Sequence, residues 1–399
     1  MLANASGGRR SLAAGGGAGA AGAGSGAAPH EAPASARTIA PSAKAGAAFA
    51  VMTGGALGIS DIILWKSLHL RYSPWIVASM TSVGVSTWIR LALGVVGLGV
   101  LVAIVRHIGV SVIAETLRDA LVWLPLIGAL EVLRVASETA SSWSALGSLA
   151  GRIPMTTLFR AHLLGHGLGN LAPAPRVVNE TIKATLVAPF VGVPAATSVG
   201  LINQAATLLA VGLFSLPCGA AIFVLTGPSV WFWTSMVHAV VLVGTGVALQ
   251  AVVRARGPGR WLSRRLPRLA ERAALFREHA LETSLLAPGP TAGLLGSRAV
   301  QTLQYGIAAY AVGIDAGVLR AMAAEGVQLI ASAVGVLVPA GVGAQDGAFS
   351  LASEMLGTTV ARATSLALLM RCNQLLWLLI ASAVALATRG RRRRSSGPP

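Results

Sequence analysis

The hydrophobic positions of this chain gather into long runs. From about residue 88 onward, stretches of roughly 20 apolar residues, the length that crosses a bilayer core, alternate with short polar or basic segments. This pattern predicts an all-α fold, that of a polytopic helical membrane protein. The predicted spans are 88–105, 119–147, 197–226, 229–253, 293–314 and 361–387. Two further segments, 157–192 and 321–357, predict re-entrant or proline-broken pairs of helices.

A short polar motif occurs once in each of the two broken segments. A proline is followed at the same spacing by a side-chain amide and then by a carboxylate. The residues are Pro173, Asn179 and Glu180 in the first copy, and Pro339, Gln345 and Asp346 in the second. Each copy leads into a long predicted helix that carries Ala-Thr-Ser and then Asn-Gln. A duplicated, proline-broken apolar unit with a carboxylate at its break is typical of secondary transporters.

The composition supports the same class of protein. Hydrophobic residues make up 54% of the chain and charged residues only 11%, with a mean hydropathy of +0.70. A soluble domain of this length needs about a quarter charged residues to cover its surface. The net charge of +17 would suit nucleic acid, but the arginines cluster between apolar segments and at the C-terminus, as membrane anchors do. No nucleic-acid partner is therefore expected, and the two cysteines predict neither disulfides nor a metal site.

The N-terminal region is predicted to be separate from the membrane domain. Residues 1–45 are mostly Ala, Gly, Ser and Pro, which predicts a disordered segment. Residues 46–87 form a linker with one weak apolar stretch, 46–64. We expect the working protein to begin near Met80. The alternative is that 46–64 is a genuine extra helix, which would place residue 1 on the outer face.

The distribution of basic residues predicts the orientation in the membrane. Arginines are concentrated in the segment 254–290 and in the tail 389–399, so both are predicted to be cytoplasmic. The membrane domain, about 88–388, is expected to lie in a bacterial cytoplasmic (inner) membrane with its C-terminus in the cytoplasm.

The two broken segments are predicted to enter the membrane from opposite sides. Segment 157–192 carries Arg160, Arg176 and Lys183 and is predicted to enter from the cytoplasm, whereas segment 321–357 lacks Lys and Arg and enters from outside. The units that contain them, repeat A at about 157–226 and repeat B at about 321–387, are therefore predicted to be inverted repeats.

The two motif carboxylates are the leading candidates for function. A charged side chain in apolar surroundings costs about 2.5–3.5 kcal/mol on insertion scales and normally faces a cavity or a partner. Glu180 and Asp346 therefore predict a polar cavity near mid-membrane that docks an ion, a proton or a lipid head group. The alternative is that each caps the short helix after it by accepting backbone N–H bonds. Predicted substrate-binding residues are Arg176, Asn179, Glu180, Lys183, Gln345, Asp346, Arg371 and Asn373, and predicted structural residues are Pro173, Pro339, Gly341 and Gly343.

Basic residues beside the first motif have two interpretations. Arg176 and Lys183 flank Glu180 in the first copy only. They are suited to bind the phosphate of a lipid head group, or they serve as positive-inside anchors.

Other polar residues within apolar segments predict buried interactions. Glu131, Arg134 and Glu138 share one helical face, which predicts an intramembrane ion-paired ladder. His162 and His166 are four residues apart, a spacing that suits a metal site or packed histidines; no third ligand is evident nearby, so no metal is predicted. Residues expected to line an interior with Arg371 and Asn373 are Gln301, Gln304, Tyr305 and Gln374.

Segments Ile153–Val193 and Ala331–Ala387 resemble the membrane portion of the lysylphosphatidylglycerol synthase, or flippase-like, family. That family typically shows a Pro-x-Gly-Arg-x-Gly-Gly-Glu stretch and a later Pro-x-Gly-Gly-x-Gly-x-x-Glu stretch. The resemblance covers roughly residues 88–388, and its second half is especially similar to the branch found in hopanoid biosynthesis clusters. The matching residues are Pro173, Arg176, Glu180, Pro339, Gly341 and Gly343; the departures are Pro175, Val178 and Asn179 in place of glycines and Asp346 in place of glutamate.

The resemblance implies a role in lipid handling. In this family a soluble domain after the last helix carries aminoacyl transfer, and here only an arginine-rich tail follows. No nucleophile elbow, phosphate-binding loop or zinc-protease motif is present either, so no enzyme activity and no cofactor are expected. The favoured hypothesis is a protein that moves or holds a polar lipid (a phospholipid, an isoprenoid-linked lipid or a hopanoid). The alternative is a non-transporting membrane partner that recruits or regulates a lipid- or glycan-modifying enzyme.

This hypothesis makes a prediction about the two acids. Glu180→Gln and Asp346→Asn are each expected to impair lipid movement or retention while leaving the fold intact. A transporter needs both acids to face one continuous cavity, whereas a partner protein tolerates one or both in dry packing.

Overall fold

The computed structural model describes residues 85–169, 175–255, 270–282, 286–315, 317–338 and 341–395. Within these ranges the regular structure is helical and contains no strand, so the predicted all-α fold is confirmed. The helices are α1 (Val85–Ile108), α2 (Val110–Ala120), α3 (Leu124–Leu146), α4 (Met155–Gly169), α5 (Pro175–Val191), α6 (Val193–Thr226), α7 (Val230–Arg254), α8 (Ala270–Glu282), α9 (Pro288–Ala311), α10 (Val318–Val334), α11 (Ala344–Leu351) and α12 (Val360–Ser395). Short 3-10 turns at Leu121–Trp123, Gly147–Arg152 and Gly335–Leu337 join or extend them.

Four helical stretches in the described part of the chain are long and apolar enough to cross a membrane. They are Val110–Arg152, Val193–Thr226, Val230–Arg254 and Val360–Thr388, with lengths of 43, 34, 25 and 29 residues. The predicted spans 119–147, 197–226, 229–253 and 361–387 lie within these stretches or differ from them by a residue or two. This is a multi-pass membrane protein. The predicted spans 88–105 and 293–314 correspond to the helices α1 and α9, and α9 is less apolar because it carries several polar residues.

Each of the two broken segments contains the pair of helices predicted for it. In the first, α4 ends at Gly169 and α5 begins at Pro175; in the second, α10 and its 3-10 turn are followed by the short helix α11. Each unit then continues into a long helix, α6 or α12. The two copies of the motif therefore share one order of elements, and their opposite orientation stays a prediction.

The exposed and buried faces of α7 show that the fold suits an apolar solvent. Large apolar side chains such as Val230, Trp233 and Val240 are exposed, whereas Ser235 and Gln250 are each only 1% exposed. A soluble helix has the reverse arrangement. Helix α7 is thus built to present valine and tryptophan to lipid and to keep its polar groups inside the bundle.

The long helices α6 and α7 pack closely through glycine. A Cβ atom at Gly212 would lie 2.8 Å from the backbone nitrogen of Val243 and 2.9 Å from the carbonyl oxygen of Ala239. Only glycine permits this separation of the two backbones, as is common between helices in membranes.

Several sequence predictions lie outside the described residues. These are the disordered segment 1–45, residues 46–84 of the predicted linker 46–87 with the start near Met80, and the prolines Pro173 and Pro339. The predicted basic loop 254–290 contains a helix that the charge pattern did not predict, α8, where His279 and Ala280 are buried.

Candidate functional site

The acid of the first motif lies beside a cation of the same helix. Glu180 and Lys183 are three residues apart on α5, so their side chains meet on one face and form an ion pair. Lys183 is buried, and the side chain of Glu180 retains 20% of its exposure. The pair therefore lies in the interior of the helix bundle, with the carboxylate as its more accessible end.

Glu180 and Lys183 line a small cavity between α5, α6 and α3. Its polar lining also includes Ser142 of α3 and Asn203 of α6, and the rest of its wall is mainly aliphatic. The enclosed volume is about 10 Å³, room for about one water molecule. A cavity of this size, with a mainly aliphatic wall, is too small for a lipid head group, so the polar docking cavity expected at the first motif stays a prediction.

The cavity is connected to a chain of hydrogen bonds that crosses three helices. The Nδ2 atom of Asn203 donates to Oγ of Ser142 at 2.5 Å, and the same oxygen is 2.7 Å from Nε2 of His162 on α4. The other ring nitrogen of His162 lies 3.9 Å from a carboxylate oxygen of Glu138. Asn203 belongs to the repeated Asn-Gln pair, which the structure thus places beside the first motif acid.

The predicted ladder of Glu131, Arg134 and Glu138 is confirmed. Arg134 donates to Glu131 at 2.5 Å and to Glu138 at 2.8 Å, and all three residues are buried on α3. The spacing of three and four residues on one helix is what brings them together. His166 Nε2 lies 2.7 Å from Oε1 of Glu131, so both predicted histidines contact the ladder.

Helix α9 supplies further partners to the same ladder. Gln304 donates to Glu131 at 2.8 Å, and Ser297 donates to Glu138 at 3.2 Å. We call Glu131, Arg134 and Glu138 with these partners the central polar network. Among the described residues, no group of three His, Cys, Asp or Glu side chains could hold a metal ion. His162 lies at hydrogen-bond distance from Ser142, and His166 from Arg134.

The second motif has a different environment. Asp346 on α11 is 0% exposed, and Arg371 of α12 binds both of its oxygens, at 2.9 Å from Nε and 2.7 Å from Nη2. The backbone N–H of Gly343 donates to the same carboxylate at 2.9 Å. The capping alternative is thus realised for Asp346, in combination with a bidentate ion pair. Asp346 is not among the residues that line the cavity at Glu180.

Glycines at the second break permit a close contact with α1. Gly341 and Gly343 have φ angles of +60° and +79°, which side chains other than glycine rarely adopt. A Cβ atom at Gly343 would overlap the carbonyl oxygen of Gly97 on α1. The predicted structural role of these two glycines is therefore supported by a turn and by a backbone contact.

The remaining predicted site residues lie in different environments, some of them buried without a hydrogen-bond partner among the described residues. Asn373 is 3% exposed and faces Gly128 of α3, and its Oδ1 has no hydrogen-bond partner among the described residues. Asn179 lies against Gly165 of α4, and its Oδ1 is likewise buried without a described partner. Gln345 is half-buried beside the turn at Gly341. The side chain of Arg176 lies outside the described part of the structure.

Ser142 and Glu325 are among the buried polar residues that the sequence pattern did not single out. Ser142 lies four residues after Glu138 on the same face of α3, and this periodicity was the available signal. Glu325 is an isolated carboxylate within an apolar stretch on α10 and is 0% exposed. A single acid in an apolar run is itself a signal in a membrane protein.

Comparison with known proteins assigns the chain to a family. The family model described as "Lysylphosphatidylglycerol synthase TM region" matches residues 87–382. Neither the curated proteins nor the solved structures contain a significant match. Because the matched region is well over half of the sequence, the chain belongs to the lysylphosphatidylglycerol synthase transmembrane family.

Proposed function

We propose that this member of the family binds the head group of a polar lipid at the Glu180–Lys183 cavity and moves or holds that lipid, without catalysing a covalent reaction. The observation that carries the proposal is a largely buried acid–base pair in the otherwise mainly aliphatic wall of a small cavity. Charged groups are costly at membrane depth and persist mostly where they face a cavity or a partner. The candidate lipids are a phospholipid, an isoprenoid-linked lipid or a hopanoid.

The chemistry of the pair suits a head group that carries a phosphate. Lys183 is a point charge with three donors, and a phosphate oxygen would replace the carboxylate of Glu180 as its acceptor. Glu180 would then accept from an ammonium or hydroxyl group of the same lipid. When the lipid supplies an ammonium group, this exchange of partners leaves no charge unpaired, which keeps its energetic cost low.

Admission of the head group requires the helices around the cavity to separate. The cavity holds about one water molecule, and α5 closes it against α3 and α6. Repeat B provides a second break with a buried acid, and we propose that the two repeats are inverted in a bacterial cytoplasmic membrane with the C-terminus inside. Movement of each break against the long helices would then open the site to one side at a time.

Native mass spectrometry of the purified full-length chain tests the proposed binding. Wild-type protein is expected to retain a polar lipid, and Lys183→Met and Glu180→Gln are expected to reduce the retained fraction at least about tenfold, because each removes a charge-assisted contact. Glu115→Gln, the same chemical change at an exposed position of α2, is the matched control. Equal retention by all four proteins would overturn the proposal.

A second function is favoured by the environment of Asp346. Its carboxylate is fully enclosed by Arg371 and a backbone N–H, so it is not available to a ligand in this conformation. A non-transporting partner that recruits or regulates a lipid- or glycan-modifying enzyme needs no such access. Lipid retention without dependence on Glu180 or Lys183, together with specific co-purification of such an enzyme, would favour this function.

A further inference from the structure

Helix α10 carries a carboxyl group that the proposed lipid site does not use. Glu325 is 0% exposed, and neither of its oxygens has a hydrogen-bond partner among the described residues. Nη1 of Arg298 lies 3.5 Å from Oε1, an ion-pair distance without a hydrogen bond. An ionised carboxylate that is buried without hydrogen bonds is costly, whereas a protonated one carries no net charge.

The neighbouring cation is already engaged elsewhere. Nη1 of Arg298 donates to Oε1 of Gln301 at 2.6 Å, one turn along α9. Arg298 thus has two acceptors within reach, the amide of Gln301 and the carboxyl group of Glu325. A small rotation of the guanidinium would exchange one for the other, so the charge state of Glu325 is coupled to a choice between two side-chain positions.

The surroundings of Glu325 favour a proton over a metal cation. Titratable or charged groups on the elements around α10 are Cys218 (α6), His238 (α7), Arg298 and Tyr305 (α9), Asp346 (α11) and, at longer range, Arg134 (α3). The second carboxylate in this set, Asp346, is bound by Arg371, and His238 lies 3.0 Å from Ser215. The guanidinium of Arg298, 3.5 Å from this isolated carboxyl group, repels a metal cation, but it does not prevent a proton from binding covalently to oxygen.

Two polar residues on the same face of α10 lie between the level of this carboxyl group and a more accessible part of the helix. Gln328 follows Glu325 by about one turn and is 6% exposed, and its Nε2 donates to Oγ of Ser332 at 3.0 Å. Ser332 is half-buried and lies shortly before the second break. Side-chain groups at these spacings lie on one helical face, as a proton path along the helix requires.

We propose that Glu325 is a proton-binding site inside the membrane domain, that Gln328 and Ser332 form its route of exchange, and that Arg298 is the group that responds to its charge. When the proton leaves, the O–H bond breaks, both electrons stay on the carboxylate, and the guanidinium of Arg298 turns from Gln301 to Glu325. The proposal concerns the protein alone and does not require lipid movement.

Infrared difference spectroscopy of the full-length protein in detergent tests the site. The carbonyl stretching band of a protonated, buried carboxylic acid is expected in the wild type and is expected to respond to pH. This band should be lost in Glu325→Gln and kept in the exposed control Glu115→Gln. If the spectra of Glu325→Gln and wild type are the same, the proposal is overturned. A response to added Na⁺ at constant pH would also overturn it, because the site would then bind a metal cation.

Two further variants guard against a folding failure and test the route. Glu325→Asp keeps the acid one carbon shorter, so the band should remain at a shifted frequency, and an unchanged frequency would contradict the assignment. After transfer to D₂O, exchange of the acid proton for deuterium shifts the band, and this shift should be slower in Gln328→Leu than in wild type. An exchange rate unaffected by this substitution would overturn the proposed route.

Discussion

The ion pair between Asp346 and Arg371 provides the most quantitative test of how the second break is held. Asp346 is 0% exposed and accepts from Nε and Nη2 of Arg371 and from a backbone N–H. Removal of one partner of a buried pair costs about 3–5 kcal/mol, because the other charge is left uncompensated. We therefore expect Arg371→Met to lower the free energy of unfolding by about 3–5 kcal/mol. The double variant with Asp346→Asn should recover about 2 kcal/mol or more of the summed single losses, since no charge remains unpaired.

Equilibrium unfolding in detergent micelles, followed by helicity, measures these differences. The control is Asp315→Asn, which removes the acid of a pair with Arg320 in which the Asp315 side chain is 78% exposed. Exposed pairs contribute about 0–1 kcal/mol, so this variant should be near wild type. If Arg371→Met also costs under about 1 kcal/mol, or if the double variant is simply additive, the pair does not hold the break as described.

Two other predictions concern the backbone at the break and the orientation in the membrane. Gly343→Ala should destabilise the protein by about 1–3 kcal/mol or more, because the φ of Gly343 is +79° and a Cβ atom there would overlap a carbonyl oxygen of α1. The control is Gly347→Ala, which should be neutral or stabilising because a Cβ atom at Gly347 meets nothing within 4 Å. Equal thermal stability of the two variants would contradict this. Single cysteines in a Cys-free background should react with an impermeant reagent from outside at Pro228 and Gly317 and from the cytoplasm at Ala255. Labelling of all three from one side would refute the predicted topology.

Most of the fold could be predicted because hydrophobic length alone determines where a chain crosses a bilayer. The helix α7, Val230–Arg254, was predicted within a residue at each end for this reason. Helix α6 begins about one turn earlier than predicted. Gly192, with a φ of +85°, ends the preceding segment, and Pro194 lies in the first turn of the new helix, a position that proline favours. Helix α8 was missed because its charge pattern was interpreted only as an anchor.

The site was predictable only where it depends on local spacing. The ladder of Glu131, Arg134 and Glu138 and the pair of Glu180 with Lys183 follow from positions three and four apart on a helix. The pairing of Asp346 with Arg371 depends on how α11 packs against α12, which periodicity does not specify. This pairing also changes the expectation for Asp346→Asn, which should now cost stability because it leaves Arg371 uncompensated.

The central claim is that Glu180 and Lys183 form the place where a polar lipid is bound and moved. A translocation assay tests it most directly, with wild-type protein and the double variant Glu180→Gln/Lys183→Met reconstituted into liposomes that contain a labelled anionic phospholipid. Because the double variant removes both charges together, it leaves neither one buried and unpaired. The account predicts that wild-type protein moves the label between leaflets and that the double variant falls to the rate of protein-free liposomes. Equal rates for a folded double variant and the wild type would contradict it.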